Sequence, residues 1–472
     1  MQLSVSIIKY LLMKRFLTLF FITFFSVLLA ETKTSATTNT RPNIVVFLVD
    51  DMGWGDSATY GHPLIKTPNM DKLASQGMKF DQCYSASGVC SPSRSSILTG
   101  RTPYRNGVWR HLSGVHKAHL RTSEVTYPKL LKEAGYSTAH IGKWHLLSKP
   151  QFGNPDYPNP KAHGYDYWMY THNNAEPSHK NPNNFYRMDK PVGETHDYSA
   201  QVIAAETDKW LKNLRDKEKP FLLSVWLHEP HSPIATNPKF QDLYGDHPNK
   251  KYMGNITQMD HALGQVMQSL EDIGATENTF FFFSSDNGPV PHYGGNSGGL
   301  RGNKRSDYEG GIRVPGILRW PAKVKPGTVT REPIIGSDLF STILDITHIA
   351  PPKDRTIDGV SIMPTVLNNE KLERPIPMFW RTHVSPYDCR VAMRVGDWKI
   401  VGDDILENFQ LFKVETDWQE ENDLSKQHPE KFEELKNQLI TLWKDIEKDG
   451  PNQWWEESNK KSKKKKGETI TF

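Results

Sequence analysis

Asn43-Ile44-Val45-Val46-Phe47-Leu48-Val49 is a nearly unbroken apolar run, β-branched in part, that stops at Asp50-Asp51-Met52-Gly53-Trp54-Gly55-Asp56. A half-buried strand alternates apolar and polar residues. A run without alternation, bounded by turn residues, fits a strand buried on both faces of a parallel sheet. The same grammar recurs. Ser137–Ile141 leads into Lys143 and His145, Phe221–Leu227 into His228 and His231, and Phe280–Phe283 into Asp286-Asn287. Segments with helical periodicity, such as Ser199–Leu214 and Gln258–Ile273, lie between these runs. Alternating strands and helices predict an α/β fold with a large, mostly parallel sheet sandwiched by helices. Ligands of such sheets bind beyond the carboxyl ends of the strands. All four runs place carboxylates, lysines or histidines just past that end, so a single site is expected there.

From about Glu373 the pattern changes. Short strand-like pieces, Pro377–Arg381, Arg390–Arg394, Trp398–Val401 and Gln410–Lys413, precede an amphipathic segment, Pro429–Glu447. These predict a smaller C-terminal α+β subdomain with an antiparallel sheet over residues 373–455, after a catalytic domain over 41–372. Gln151–Pro191 is rich in Pro, Asn, His and Tyr and shows little periodicity. It reads as a long irregular insertion near the site, suited to substrate recognition.

Cys90-Ser91-Pro92-Ser93-Arg94-Ser95-Ser96-Ile97-Leu98-Thr99-Gly100-Arg101 joins C-x-P-x-R to T-G-R. At average residue usage C-x-P-x-R alone arises by accident in roughly one chain in fifty of this length, and the added T-G-R makes accident negligible. Pro92 suits the first turn of a helix, where its missing N–H costs nothing. Cys90 then stands near a helix N-terminus, where backbone N–H groups and the dipole favour an anion. The stretch resembles the signature of the type I, formylglycine-dependent sulfatases of the alkaline phosphatase superfamily, and the chain is similar to the secreted bacterial polysaccharide sulfatases among them. The resemblance covers roughly residues 41 to 450, with specific motifs only up to Pro315. It implies an alkaline-phosphatase-like fold and oxidation of Cys90 to formylglycine (3-oxoalanine) by a formylglycine-generating maturation enzyme.

Asp50, Asp51, Asp286 and Asn287 are hard oxygen donors, suited to Ca²⁺ or Mg²⁺ rather than zinc. The Asp50–Asp56 and Ser285–Gly288 stretches resemble the two sulfatase metal loops. The resemblance implies Ca²⁺, with Mg²⁺ as second choice, held by these four residues and by residue 90. Gly135–His145 looks like the second sulfatase signature and carries over Lys143 and His145. Pro230-His231-Ser232-Pro233 matches P-H-x-P and carries over His231, but not His228. Leu300-Arg301-Gly302-Asn303-Lys304 resembles L-R-G-G-K and carries over Lys304. Asn303 departs from the usual glycine, and Arg305 follows where glycine is frequent. The implied mechanism uses a gem-diol hydroxyl of hydrated formylglycine to attack sulfur. Arg94, Lys143 and Lys304 stabilise the sulfuryl oxygens. His145 handles the gem-diol proton, and His231, with Lys304, protonates the leaving oxygen.

Composition excludes several other classes. The 472 residues are 37% hydrophobic and 24% charged, a globular balance with 13 Trp and 21 Phe for a large core. The net charge of +4 misleads: the first 15 residues carry three positive charges, and the tail from Lys460 carries six lysines against one glutamate. The stretch between them is acidic on balance, so a nucleic-acid partner is not expected. Lys9, Lys14 and Arg15 before the apolar Phe16–Leu29 read as a signal peptide over residues 1–30, followed by a linker over 31–40. An exported protein, periplasmic or secreted, without a stable membrane span is the expectation. Residues 456–472 read as a basic, disordered tail. Three cysteines do not make a disulfide scaffold; Cys83 and Cys389 remain free to pair. Neither a P-loop, a zinc spacing nor a G-x-S-x-G nucleophile elbow is expected.

The function expected is hydrolysis of sulfate esters on a sulfated sugar or polysaccharide, an algal glycan such as ulvan or carrageenan among the candidates. Trp109, Trp168 and Trp226 are candidate sugar contacts, with core packing as the alternative for each. One rival is a phosphonate monoester or phosphodiester hydrolase of the same superfamily. Another is a catalytically dead, calcium-dependent glycan-binding protein.

Overall fold

A computed structural model describes residues 41–450, apart from 113–117, 155 and 384. The expected signal peptide, linker and basic tail lie outside the described residues. The large sheet is built from β1 (Asn43–Val49), β2 (Met78–Tyr84), β3 (Ser137–Lys143), β4 (Tyr167–Thr171), β5 (Tyr186–Arg187), β6 (Lys190–Pro191), β7 (Phe221–Trp226), β8 (Thr279–Ser285), β9 (Arg313–Arg319), β10 (Thr328–Thr330) and β11 (Ile334–Ile335). Its order is β10-β2-β9-β8-β1-β7-β3-β4-β5-β6, with β11 also on β2. The central β8-β1-β7-β3-β4 block is parallel. β9 runs antiparallel to both β8 and β2, so β2 points the same way as the central block.

The unbroken apolar runs follow from burial on both faces. Ile44, Val46 and Leu48 of β1 join one core with Phe280 and Phe282 of β8. Val45, Phe47 and Val49 join the opposite core with Phe281 and Phe283. The first core is closed by the helices Cys90–Thr99, Tyr127–Glu133 and Asp338–Thr347, the second by Pro68–Ser75, Ser199–Lys209 and Lys250–Asp272. Lys250–Asp272 starts two turns before the expected Gln258, because Tyr252, Met253 and Ile256 continue its buried stripe.

Two expectations need correction. Gln151–Pro191 is not simply irregular, because it contains β4, β5 and β6, which extend the sheet beyond β3. The proline- and asparagine-rich flanks masked the short strand Tyr167–Thr171. Trp168 and Trp226 are not sugar contacts. Both are packed in the first core, and Trp226 also lies under the Arg94 guanidinium, 5.2 Å from its ring centre. Trp109 is partly buried, its ring edge-on to His383 at 4.4 Å.

The C-terminal part forms a separate antiparallel sheet from β12 (Met378–Arg381), β13 (Val391–Val395), β14 (Trp398–Gly402) and β15 (Phe409–Lys413) in sequence order. Leu435, Leu439, Trp443 and Ile446 of the helix Pro429–Asp449 cover one face at helical spacing. On the other face Trp380, Ala392, Val401 and Phe412 share a core with Tyr84, Ala86 and Ile312 next to the large sheet. Cys83 and Cys389 are both free and buried.

Candidate active site

The parallel order places the ends of neighbouring strands along one edge. Asp50 and Asp51 follow β1, Asp286 and Asn287 follow β8, and His228 and His231 follow β7. Lys143 is the last residue of β3, with His145 two residues on. The ladder continues past the strands: Asp286 N–H donates to Val49 O at 3.1 Å, Asp50 N–H to Glu229 O at 3.1 Å and His145 N–H to His172 O at 2.7 Å. Asp50, His145 and Asp286 are therefore tied into the hydrogen-bond ladder of the sheet. Asp51 (φ 66°) and His145 (φ 54°) both take left-handed backbone that turns the chain out of the strand. Gly142 allows the last turn of β3: a Cβ there would lie 1.9 Å from Trp226 O.

Cys90 is the first residue of its helix, with Pro92 in the first turn. The Cys90 thiol lies 3.5 Å from Asp50 Oδ1. Three carboxylates around it each meet one cation. Lys143 Nζ donates to Asp50 Oδ2. Lys304 Nζ lies 2.6 Å from Asp51 Oδ1. Arg94 Nε and Nη2 grip Asp286 Oδ2 at 2.8 and 2.7 Å, and its Nη1 donates to Lys143 O at 3.0 Å. His231 Nε2 stands 3.6 Å from Asp51 Oδ2. His145 Nε2 meets Leu112 O at 3.1 Å. The expected residues Cys90, Arg94, Lys143, His145, His231, Lys304, Asp50, Asp51, Asp286 and Asn287 thus all lie at one edge of the sheet.

Burial sets the charge states. It pushes the Cys90 thiol up to about 12, against the pull of Lys143 and Lys304. Burial also works against charge on Asp50, but Lys143 above all, with His231, Arg94 and Lys304, holds its carboxyl well below the usual range. Asp286 moves up through burial and the Asp50 charge, with Arg94 opposing. Burial and then Lys143 hold His145 well below the usual imidazole value. Burial lowers His231 too, although Asp50 and Asp51 pull it up.

One donor set is suited to a metal. Asp50, Asp51, Cys90 and His231 offer ligand atoms within 4.8 Å of one another. Asn287 Nδ2 donates to Asp51 Oδ1 at 2.7 Å, while its buried Oδ1 has no hydrogen-bond partner. A buried amide oxygen without a donor, beside three carboxylates, fits a hard divalent cation.

A sulfatase family profile matches residues 42–349, over half of the sequence. The chain belongs to the sulfatase family. A second profile, N-sulphoglucosamine sulphohydrolase, C-terminal, matches residues 301–448 of this sulfatase. It is 35% identical over 387 residues to N-acetylgalactosamine-6-sulfatase of Canis lupus familiaris, covering 76% of this chain and 71% of that one. It is 30% identical over 414 residues to steryl-sulfatase of Rattus norvegicus, covering 70% of each. Among solved structures, Ps i-CgsB in complex with k-i-k-neocarrahexaose superposes with a TM-score of 0.78 at 25% identity, over 87% of this chain and 93% of that one. The protein is thus an enzyme of the sulfuric ester hydrolase class. Among the described residues no helix is long and apolar enough to cross a membrane.

Several supporting residues of the sulfatase went unseen in the sequence. Asp56 is buried and accepts from Gly53 N–H, Asn296 N–H and Tyr252 O–H, tying the first acidic loop to the glycine-rich one. Glu229 Oε1 accepts from Ser199 Oγ and Ala200 N–H, which anchors the P-H-x-P loop on a helix. The arginine of T-G-R points away from the thiol: Arg101 pairs with Glu124 and Asp449, next to Arg105, which pairs with Asp358, Asp445 and Asp449. Only the D-x-x-G-x-x-D rhythm around Asp56 gave a local hint of any of these. Arg305, where glycine is frequent, does take φ 75° and donates its N–H to Gly88 O at 2.8 Å. Gly295–Gly299 spells G-x-S-x-G after all. It follows a single turn at Pro291–Tyr293 rather than a strand, and Ser297 Oγ donates to Leu300 O at 2.9 Å, so it is no nucleophile elbow.

Proposed function

We propose that this sulfatase releases sulfate from a sulfated sugar or polysaccharide, with residue 90 as formylglycine and a divalent cation, Ca²⁺ in preference to Mg²⁺. The observation that carries this reading is the Cys90 side chain, buried at a helix start and 3.5 Å from Asp50 Oδ1. A thiol pushed up to about 12 stays protonated at neutral pH and is a poor nucleophile. Its place among carboxylates makes sense for a side chain that carries hydroxyls instead.

Asp50, Asp51, Asp286, Asn287 and residue 90 would hold the cation, which supplies positive charge for the sulfuryl oxygens. As hydrated formylglycine, residue 90 would supply one hydroxyl to attack sulfur with displacement of the alcohol, and a second whose deprotonation lets the C–O bond to sulfate break and the aldehyde re-form. Arg94, Lys143 and Lys304 orient the sulfuryl group and offset its developing charge. His145, kept neutral by burial and Lys143, accepts the nucleophile's proton. His231 holds its Nδ1–H on Ser232 O and faces Asp51 with Nε2, so it donates to the leaving oxygen from Nε2 as the imidazolium that burial opposes but Asp50 and Asp51 favour. The carbohydrate class rests on relatives named for N-acetylgalactosamine 6-sulfate and on the neocarrahexaose complex. Export after maturation by a formylglycine-generating enzyme, and division into a catalytic domain (41–372) and a C-terminal subdomain (373–455), belong to the same reading.

Mass spectrometry of the residue 90 peptide from native-host protein tests the nucleophile. Sulfate release from defined sulfated oligosaccharides, beside an aryl phosphodiester, tests the reaction. Unmodified cysteine in active protein, or faster turnover of the phosphodiester, would overturn the proposal. Cation-dependent glycan binding without sulfate release would support the dead-site rival.

A further inference from the structure

A second concave surface lies outside the cluster of catalytic candidates. It is a cleft of about 490 Å³ between the Arg301 loop and the edge of the C-terminal sheet, within the ~300–1,000 Å³ range of small-ligand sites. Arg301, Tyr387, Arg390, Asp404, Asn408 and Phe409 are among its walls. The Arg301 guanidinium lies over Tyr308, 3.9 Å from the ring centre, and donates to Glu420 O at 2.8 Å. Arg390 donates to His383 O at 3.1 Å. Among the described residues neither arginine meets a carboxylate, and Asp404 meets no cation.

This lining has a chemical meaning. Two guanidiniums, exposed carboxylates, an amide and aromatic faces give donors and acceptors in one cleft, with no single sign of charge. Such a wall suits a ligand that both donates and accepts at many points. A polyanion would face Asp388, Asp403 and Asp404 and is disfavoured there. A pyranose ring fits: its hydroxyls match the planar polar groups, and its C–H face matches Tyr387 or Phe409.

The cleft is also connected to the catalytic cluster. Arg301 is three residues from Lys304, a stretch that spans at most about 11 Å. Tyr387 packs edge-on at 6.5 Å against Tyr308, whose ring carries the Arg301 guanidinium. We infer that this cleft binds an uncharged pyranose residue of the glycan chain whose sulfated residue sits at Cys90. The inference rests on the carbohydrate sulfatase reading and deepens it, making the enzyme a reader of chain length.

The test uses the mature holoenzyme, with κ-neocarrageenan and monosulfated keratan oligosaccharides from di- to hexasaccharide, whose repeats each contain an uncharged pyranose, and an aryl sulfate as probes. On the backbone that is turned over, kcat/KM rises about tenfold or more with chain length, and the gain lies in KM. Arg390→Gln and Asp404→Ala each reduce the hexasaccharide-to-disaccharide ratio about fivefold or more. Asp404 is exposed, so its truncation guards against a folding defect in the arginine variant. No gain with length, or variants that slow both lengths equally, overturns the inference. If no probe loses sulfate, the reaction reading fails, and calorimetric titration with the same hexasaccharides decides the cleft alone. Binding weakened about fivefold by Arg390→Gln supports it; binding that is absent or unchanged overturns it.

Discussion

Lys399 joins the C-terminal sheet to the loop that carries Lys304, and its removal tests whether that sheet shapes the active site. The ammonium is fully buried and lies 2.9 Å from both Glu309 Oε1 and Glu420 Oε1. Glu420 in turn accepts the Glu309 N–H at 2.7 Å and, through its carbonyl, Arg301 at 2.8 Å. Gly310 N–H closes the loop on Arg301 O at 2.7 Å. Lys399→Met leaves two buried carboxylates without their shared cation; Glu309 keeps the Tyr84 hydroxyl at 2.6 Å and a more distant Arg313 at 3.6 Å. Breaking a buried pair on one side costs about 3–5 kcal/mol. Proton uptake by one carboxylate limits that cost, so about 3 kcal/mol is expected at neutral pH and less in acid.

Urea unfolding followed by circular dichroism measures the stability, and turnover of an aryl sulfate measures the loop. Leu439→Ala is the control, because Leu439 lies in the core between the C-terminal sheet and its helix and costs a similar ~2–5 kcal/mol. It touches neither Glu309 nor Glu420. Lys399→Met is expected to slow turnover about tenfold or more beyond the control under conditions where both variants are folded. Equal turnover in the two variants would refute the coupling, and a stability loss below about 1 kcal/mol would refute the charge argument.

Four further outcomes are expected. Arg94→Lys keeps the charge but loses the two-pronged grip on Asp286, and kcat falls about 10²–10³-fold, measured by sulfate release. Burial raises the Asp307 carboxyl to about 7, with Thr382 opposing. Because this folded value exceeds the unfolded one, the wild type loses stability relative to Asp307→Asn as pH rises from about 4 through 7; unfolding at pH 5 and 8 measures it, and parallel curves refute it. Arg105→Ala leaves the mostly buried Asp358 without its close cation, whereas the more exposed Asp445 and Asp449 lose only weak pairs; the cost is about 3 kcal/mol, read from the urea midpoint. Chelation by EDTA weakens inorganic sulfate binding about tenfold, by calorimetry, and added Ca²⁺ restores it.

What could be read from the sequence follows from how local each signal is. β1 and β8 were legible because strands buried on both faces need unbroken apolar runs, and Phe280–Phe283 has no other place to go. The strand-end residues were legible because parallel topology converts four separate strand ends into one edge. β4 was not, because Tyr167–Thr171 gets its strand state from pairing with β3, not from its own flanks. The Lys399–Glu309–Glu420 cluster was invisible for a similar reason: each member looks like a surface charge, and only the fold brings residues 309, 399 and 420 together. Trp168 and Trp226 misled because an aromatic residue beside a site motif reads the same whether it faces substrate or core.

On the proposed reading, the charge arrangement at the edge of the sheet accounts for a site that takes both a cation and an anion. Asp50, Asp51 and Asp286 are each matched by one of Lys143, Lys304 and Arg94, while burial keeps His145 and His231 toward neutrality. In that balanced state the three basic groups are engaged by carboxylates and have little field to offer a sulfuryl group. A divalent cation competes for the same three carboxylates. Once they served it, the basic side chains would be released to face the monoanionic ester and then inorganic sulfate, the dianion whose charge cancels that of the cation. Cation and sulfate would therefore stabilise each other through a shared set of side chains, and by reciprocity each would raise the affinity for the other. The orphaned Asn287 oxygen favours this account over three permanent salt bridges, since a purely structural ion cluster would have no use for an unmatched acceptor at its centre.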